Sequence, residues 1–224
     1  MAEKWVESVL AGEMEFDSVF KDTPKCLVAR FDHPELGPCV LKVPRARSGR
    51  RWERFLTLFR AGEAIRQFKN MEMLLELGLQ GPTPVLAAEK RQNGVVVDSF
   101  YVYSFVEGRE GEVKDRPAII NALLPLYEKR YCRADPKVGN HILNGNSVYL
   151  IDFRIKRPIL FGSLRCAMEF CQLAGSQQLA MDIGRRAGYQ PLTVRLAWWT
   201  QRASQRLRKA KQALLQKFRH ERRA

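Results

Sequence analysis

The 224-residue chain is poor in the residues that build covalent or metal frameworks. Its five cysteines, Cys26, Cys39, Cys132, Cys166 and Cys171, are odd in number and include no C-x-x-C pair. That disfavours a disulfide scaffold and a zinc site alike and leaves reduced core thiols as the expectation. The three histidines, His33, His141 and His220, lack ligand spacing and read as surface or turn residues. No apolar run approaches the roughly 18–20 residues of a membrane-spanning helix. The opening stretch, MAEKWVESVLAGEMEF, has charges throughout and no apolar signal-peptide core. The expectation is a cytoplasmic protein whose membrane contact, if it makes one, is peripheral. Acidic residues are also scarce: 24 Asp and Glu stand against 38 Lys and Arg, a net charge of +14. A partner of negative charge is implied, whether nucleic acid, an anionic membrane surface or a phosphorylated substrate. Repeats and low-complexity linkers are absent, and 46% hydrophobic residues suffice for a globular core.

Residues 15–44 read as strands, with a hairpin from Lys25–Phe31 through the turn-rich Asp32–Gly37 to Pro38–Pro44. A basic-aromatic segment, RARSGRRWERFLTLFR, follows. From 61 to 77, Ile65, Phe68, Met71 and Leu74 or Leu75 recur at helical spacing until Gly78 stops the run. Pro84–Ala88 and the strands flanking Asn93-Gly94 complete a small sheet, and Val106-Glu107-Gly108 reads as a hinge. A second helix is predicted over 117–131, and 163–190 has helical character. Asn144-Gly145-Asn146 is a tight turn between two short strands.

The chemistry concentrates between these elements. Asp135 and Asn140 lie five apart in D-P-K-V-G-N, and Asp152 follows in L-I-D-F after the short hairpin. This order supplies one carboxylate for an acceptor hydroxyl, then an amide oxygen and a second carboxylate for magnesium, as phosphoryl transfer requires. Lys42, the one charge on the apolar strand V-L-K-V, is the candidate cation for nucleotide phosphates.

On these residues, together with L-G-L at Leu77–Leu79 and F-V-E-G at Phe105–Gly108, the chain resembles the bacterial lipopolysaccharide core heptose kinase group. The similarity spans about Ser18 to Ala174 and lies within the protein-kinase-like fold. The resemblance implies an α+β, bilobal fold with a small antiparallel-sheet N-lobe (about 15–106) and an abbreviated helical C-lobe (about 109–192), the kinase-like domain being 1–192. It implies ATP and Mg2+ as cofactors. Asp135 would orient the acceptor hydroxyl and take its proton, and Lys137 would offset charge on the transferred group. Lys42 would hold the α and β phosphates, with Ser104 and Val106 at the nucleotide from the hinge side. Asn140 and Asp152 would hold the metal. The helix glutamate that pairs with Lys42 is Glu72 by its distance to the hinge or Glu63 by its distance from Lys42. The expected glycine-rich phosphate loop falls on Phe20-Lys21-Asp22-Thr23-Pro24, which has no glycine, and Cys132-Arg133-Ala134 stands where a histidine often precedes the catalytic aspartate. These departures leave a kinase-fold binding or regulatory protein with little catalysis as the alternative.

Residues 193–224 carry ten Lys or Arg and a single acid, Glu221. Leu196, Trp199, Ala203, Leu207, Leu214 and Phe218 can share one face of a basic amphipathic helix, and Trp198-Trp199 suits an interfacial position. Such a helix serves either to cap the lobe or to meet an anionic membrane; nucleic acid is not expected as partner, since no reading motif accompanies the charge. The acceptor implied by the resemblance is a lipid-linked lipopolysaccharide core at the inner face of the inner membrane.

Overall fold

The computed structural model describes Val9 and residues 15–45, 55–133 and 136–221; in the last helix the side chains of residues 209, 214, 215 and 217–221 are not described. Asp135 and most of the basic stretch of the basic-aromatic segment lie outside the described residues. The chain forms two compact units, one of residues 1–109 with 144–151 and one of residues 110–143 with 152–224.

The first unit is built on a five-stranded antiparallel sheet. Its strands are β1 (Ser18–Thr23), β2 (Cys26–His33), β3 (Gly37–Pro44), β4 (Pro84–Gln92) and β5 (Val95–Ser104), in the order β1-β2-β3-β5-β4. Alternation along each strand sorts the side chains into two faces. Cys39 and Leu41 of β3 join Phe31, Phe100 and Val102 in one buried cluster. The β4–β5 hairpin turns at Asn93 (φ 51) and Gly94 (φ 77), the paired positive angles that an Asn-Gly type I′ turn accepts at low cost. Helix α1 (Glu63–Glu76) buries Ala64, Gln67, Met71 and Leu74 and packs against β4, β5 and β3. It stops where the helical period ends, with Gly78 at φ 77 and Leu79 N–H bonding the Leu74 carbonyl at 3.2 Å.

The second unit is helical. Helix α2 (Arg116–Glu128) follows a one-turn 3-10 helix, Val113–Asp115, closed by reciprocal capping between Glu112 and Asp115. The short strand β6 (Arg109–Glu110) lies at the division of the two units, and β7 (Cys132–Arg133) follows α2. Strand β8 (His141–Asn144) leads into the expected turn, which with β9 (Ser147–Leu150) belongs to the first unit, and β10 (Ile155–Lys156) of the second unit pairs antiparallel with β7. Helices α3 (Gly162–Ala174), α4 (Gln177–Arg186) and α5 (Pro191–Glu221) complete the chain. Phe170 stands edge-to-face against Tyr127 at 5.4 Å and Tyr189 at 5.2 Å, an aromatic centre shared by three segments.

The boundary drawn at residue 192 falls inside a helix. The first turns of α5 are core: Val194, Ala197 and Trp198 are buried, α5 packs on α3 and α4, and Gln201 Nε2 donates to Gln172 Oε1 at 3.0 Å. The i, i+3, i+4 spacing of these three residues turns one face inward and sends Leu196 and Trp199 outward. The tandem tryptophans therefore have opposite fates, Trp198 at 7% exposure and Trp199 at 63%. Trp198→Ala is expected to cost about 3–5 kcal/mol of stability, and Trp199→Ala within about 0.5 kcal/mol. Urea titration of both variants measures the contrast.

Candidate active site

The first unit positions Lys42 by strand alternation. Lys42 pairs with Val28 on β2 and Tyr101 on β5, on the face opposite Leu41 and the buried cluster. Val40, Tyr101 and Tyr103 share that face, and the Lys42 ammonium lies 5.9 Å from the Tyr101 ring centroid. An ammonium on such a surface is partly stripped of water and better able to attract an anion. At the other end of the β3–β5 ladder Ser104 pairs with Cys39, and its hydroxyl accepts from Thr83 N–H at 2.8 Å. Phe105 N–H bonds the Pro38 carbonyl at 2.9 Å, so the strand end leading to Val106 is anchored on both sides. Val106 is half-buried.

The glycine-free segment 20–24 is a tight hairpin. Thr23 pairs with Cys26, leaving Pro24 and Lys25 as the turn, and Thr23 Oγ1 accepts from Cys26 N–H at 3.3 Å while donating to the Cys26 carbonyl at 3.2 Å. A side-chain hydroxyl thus closes a turn that glycine would otherwise shape. Glu72 and Glu63 both lie on exposed positions of α1, and Glu72 makes no ion pair among the described residues. The polar side chain that α1 does bury is Gln67, one turn before Met71 on the packed face; a lone polar residue at core spacing was the available signal for it.

In the second unit, Lys137 caps and Asn140 closes the 3-10 turn Val138–Asn140, with Lys137 exposed and Asn140 half-buried. Asp152 follows β9 by two residues, is exposed and has φ 49. A left-handed aspartate costs backbone energy, tolerated where a side chain must be aimed. Asn140 and Asp152 thus stand at the two open ends of the β8–β9 hairpin. Their amide and carboxylate oxygens are hard donors of the kind magnesium takes. Gly111 keeps the turn close to the preceding chain: its N–H bonds the His141 carbonyl at 2.8 Å, and a Cβ there would come within 2.7 Å of the Val138 carbonyl oxygen.

The segment on either side of residues 134–135 is held by a buried network. Arg133 Nε donates to Glu169 Oε1 at 2.8 Å in an ion pair sealed from solvent, and Arg133 N–H donates to Glu169 Oε2. Tyr127 Oη donates to the same carboxylate at 3.2 Å; burial and the Glu169 charge push the phenol well above its ordinary range. Arg133 Nη1 lies 2.7 Å from His141 Nε2. Arginine can only donate, so Nε2 accepts, and the proton on Nδ1 goes to the Val138 carbonyl at 2.8 Å. His141 is a neutral, fully buried residue rather than the surface or turn residue its spacing suggested. Burial and then the Arg133 charge lower it to about 4. Cys39, Cys166 and Cys171 are buried core thiols, whereas Cys26 and Cys132 are only half-buried; all five are free thiols. A hydrogen bond between Cys166 and Cys132 lowers the Cys132 thiol and raises its partner.

The sequence assigned Arg133, Glu169 and His141 no part in the site. Glu169 did carry a signal, as the single acid inside the apolar run C-A-M-E-F-C-Q-L-A of α3. Its pairing with Arg133, 36 positions earlier, had none.

No family model and no curated protein matches the chain. Among solved structures, WaaP in complex with acyl carrier protein superposes with a TM-score of 0.56 over 92% of each chain, at 11% identity. The fold is therefore α+β and protein-kinase-like, and the shared property is the fold alone.

Glu169→Ala would leave the Arg133 guanidinium buried without its counter-charge, and a loss of about 3–5 kcal/mol is expected, read as a lowered urea midpoint. His141 sets a pH dependence of definite sign. The unfolded histidine protonates near its ordinary 6.5, the folded one only near 4. Its contribution is fully present above pH 6.5 and is lost as pH falls toward 4, by about 3 kcal/mol. His141→Gln should flatten that limb of the stability–pH curve relative to the parent.

Proposed function

We propose that this chain is an ATP- and Mg2+-dependent kinase that phosphorylates a heptose of the lipopolysaccharide inner core, acting at the cytoplasmic face of the inner membrane. The observation that carries the reading is Asp152: a left-handed, exposed aspartate just past the hairpin that begins at Asn140, in a chain of protein-kinase-like fold. The heptose acceptor rests on the motif resemblance.

In this reading Asp135 orients the acceptor hydroxyl and accepts its proton, and Lys137 offsets charge on the γ-phosphoryl group. Lys42 attracts the α and β phosphates from the Tyr101–Tyr103 face, and Ser104 and Val106 border the base. Asn140 and Asp152 would hold magnesium, which neutralises charge on the β and γ phosphates when bound. The Arg133–Glu169–His141 network does no chemistry. It fixes the chain before and after residues 134–135, and in this class catalysis is largely positioning and electrostatics. The partner of Lys42 on α1 is Glu72 or Glu63, as the resemblance implies.

Asp152→Ala is expected to abolish magnesium-dependent nucleotide binding with little change in melting temperature, because an exposed side chain contributes little to the core. Nucleotide titrations with and without magnesium, beside a melting curve, decide it; equal binding in the variant removes the metal role. Asp135→Asn should retain nucleotide binding and lose turnover. Core oligosaccharide from a deletion strain should lack one phosphate by mass spectrometry, and an unaltered core would exclude heptose as acceptor.

Glu72, exposed and without an ion pair among the described residues, favours a second reading, a kinase-fold regulatory protein. Nucleotide and magnesium binding by the parent protein without turnover on any core acceptor would select it.

A further inference from the structure

The second unit exposes three large apolar side chains in sequence. Ile159 is 97%, Leu160 69% and Phe161 76% exposed, in the connection between β10 and α3. Consecutive apolar exposure on this scale marks a surface that something covers. The conformation is also a costly one: Phe161 has φ 53 and ψ 38 at the N-cap of α3, a left-handed setting that a bulky residue adopts only when the surroundings impose it. Along the chain, the stretch that follows the exposed Asp152 carries charges of one sign. Arg154, Lys156, Arg157 and Arg165 stand between Phe153 and Met168 with no acid among them, and Arg154, Lys156 and Arg157 occupy exposed positions. Apolar residues at a loop tip flanked by cations match the interface of an anionic bilayer, which offers acyl chains beneath negative headgroups.

We infer that Ile159-Leu160-Phe161 is a membrane-docking loop, which inserts its three side chains into an anionic lipid surface while Arg154, Lys156, Arg157 and Arg165 meet the headgroups. The site is separate from the basic helix α5 and does not rest on phosphoryl-transfer chemistry. Its place in the chain has a consequence for the proposed reaction all the same. Ile159 is seven residues after Asp152, at most about 25 Å of extended chain, so docking here brings the candidate site to a lipid-linked acceptor.

The test is sedimentation of the full chain with vesicles of equal parts phosphatidylglycerol and phosphatidylcholine, and with phosphatidylcholine alone. The variant combines Ile159→Ser, Leu160→Ser and Phe161→Asn, the last because asparagine tolerates the left-handed backbone. It should melt with the parent, since the replaced side chains are exposed. Expected is binding of the parent to the anionic vesicles, weakened by high salt, and a loss of about tenfold or more in the variant. Undiminished binding by the folded variant overturns the inference and leaves lipid contact to α5. Equal binding of the parent to both vesicle types overturns the role of charge. Binding to an acidic carrier protein but not to either vesicle would assign the loop to a protein partner instead.

Discussion

The second unit depends on one buried charge pair. Arg133 and Glu169 are both sealed from water, and two such charges lose hydration that only close, saturated geometry restores. The structure meets most of that demand with backbone, phenol and imidazole groups: Arg133 N–H and Tyr127 Oη both reach Glu169, and His141 takes Nη1, while Arg133 Nη2 stays buried with no hydrogen-bond partner among the described residues. A well-packed apolar substitute could be as stable. It would not tie β7, α2, α3 and the 138–141 turn to one point, as four directional bonds do. The constraint acts on position, which is what a site built from loop residues requires.

The neutrality of His141 follows from the same pair. A cation beside an imidazole nitrogen forbids a second proton there, so one tautomer is selected and the Val138 carbonyl receives its hydrogen. The turn that carries Asn140 is thereby bonded from the inside by His141 and from the other side by Gly111. In the first unit the equivalent work is done by strand pairing: β3 and β5 set Lys42 beside Tyr101 and hold Ser104 level with Cys39. Each unit thus presents its candidate residues from regular elements or from turns bonded to them.

The charge distribution divides along similar lines. The basic helix α5 is core for its first turns, so a boundary at residue 192 does not separate it from the second unit. Helical periodicity alone could place Leu196, Trp199 and Leu207 on one side. It could not decide that Val194, Ala197 and Trp198 form the buried side, because that choice depends on the shape of α3 and α4.

Local rules legible in the sequence determined a good deal. The Asn93-Gly94 turn, the helix that ends at Gly78, the alternation that isolates Lys42, and the tight turn between Asn140 and Asp152 all follow from backbone preferences acting over a few residues. The absence of glycine at 20–24 was equally visible, though not that Thr23 would close the turn. What lay beyond local rules were the contacts between distant segments. Whether Glu72 or Gln67 faces inward, which tryptophan is core, whether His141 is wet, and which cation answers Glu169 are decided by packing. A side chain's environment is set by whatever the fold brings against it, and residues 36 apart in the chain leave no pattern of their meeting until the tertiary structure forms.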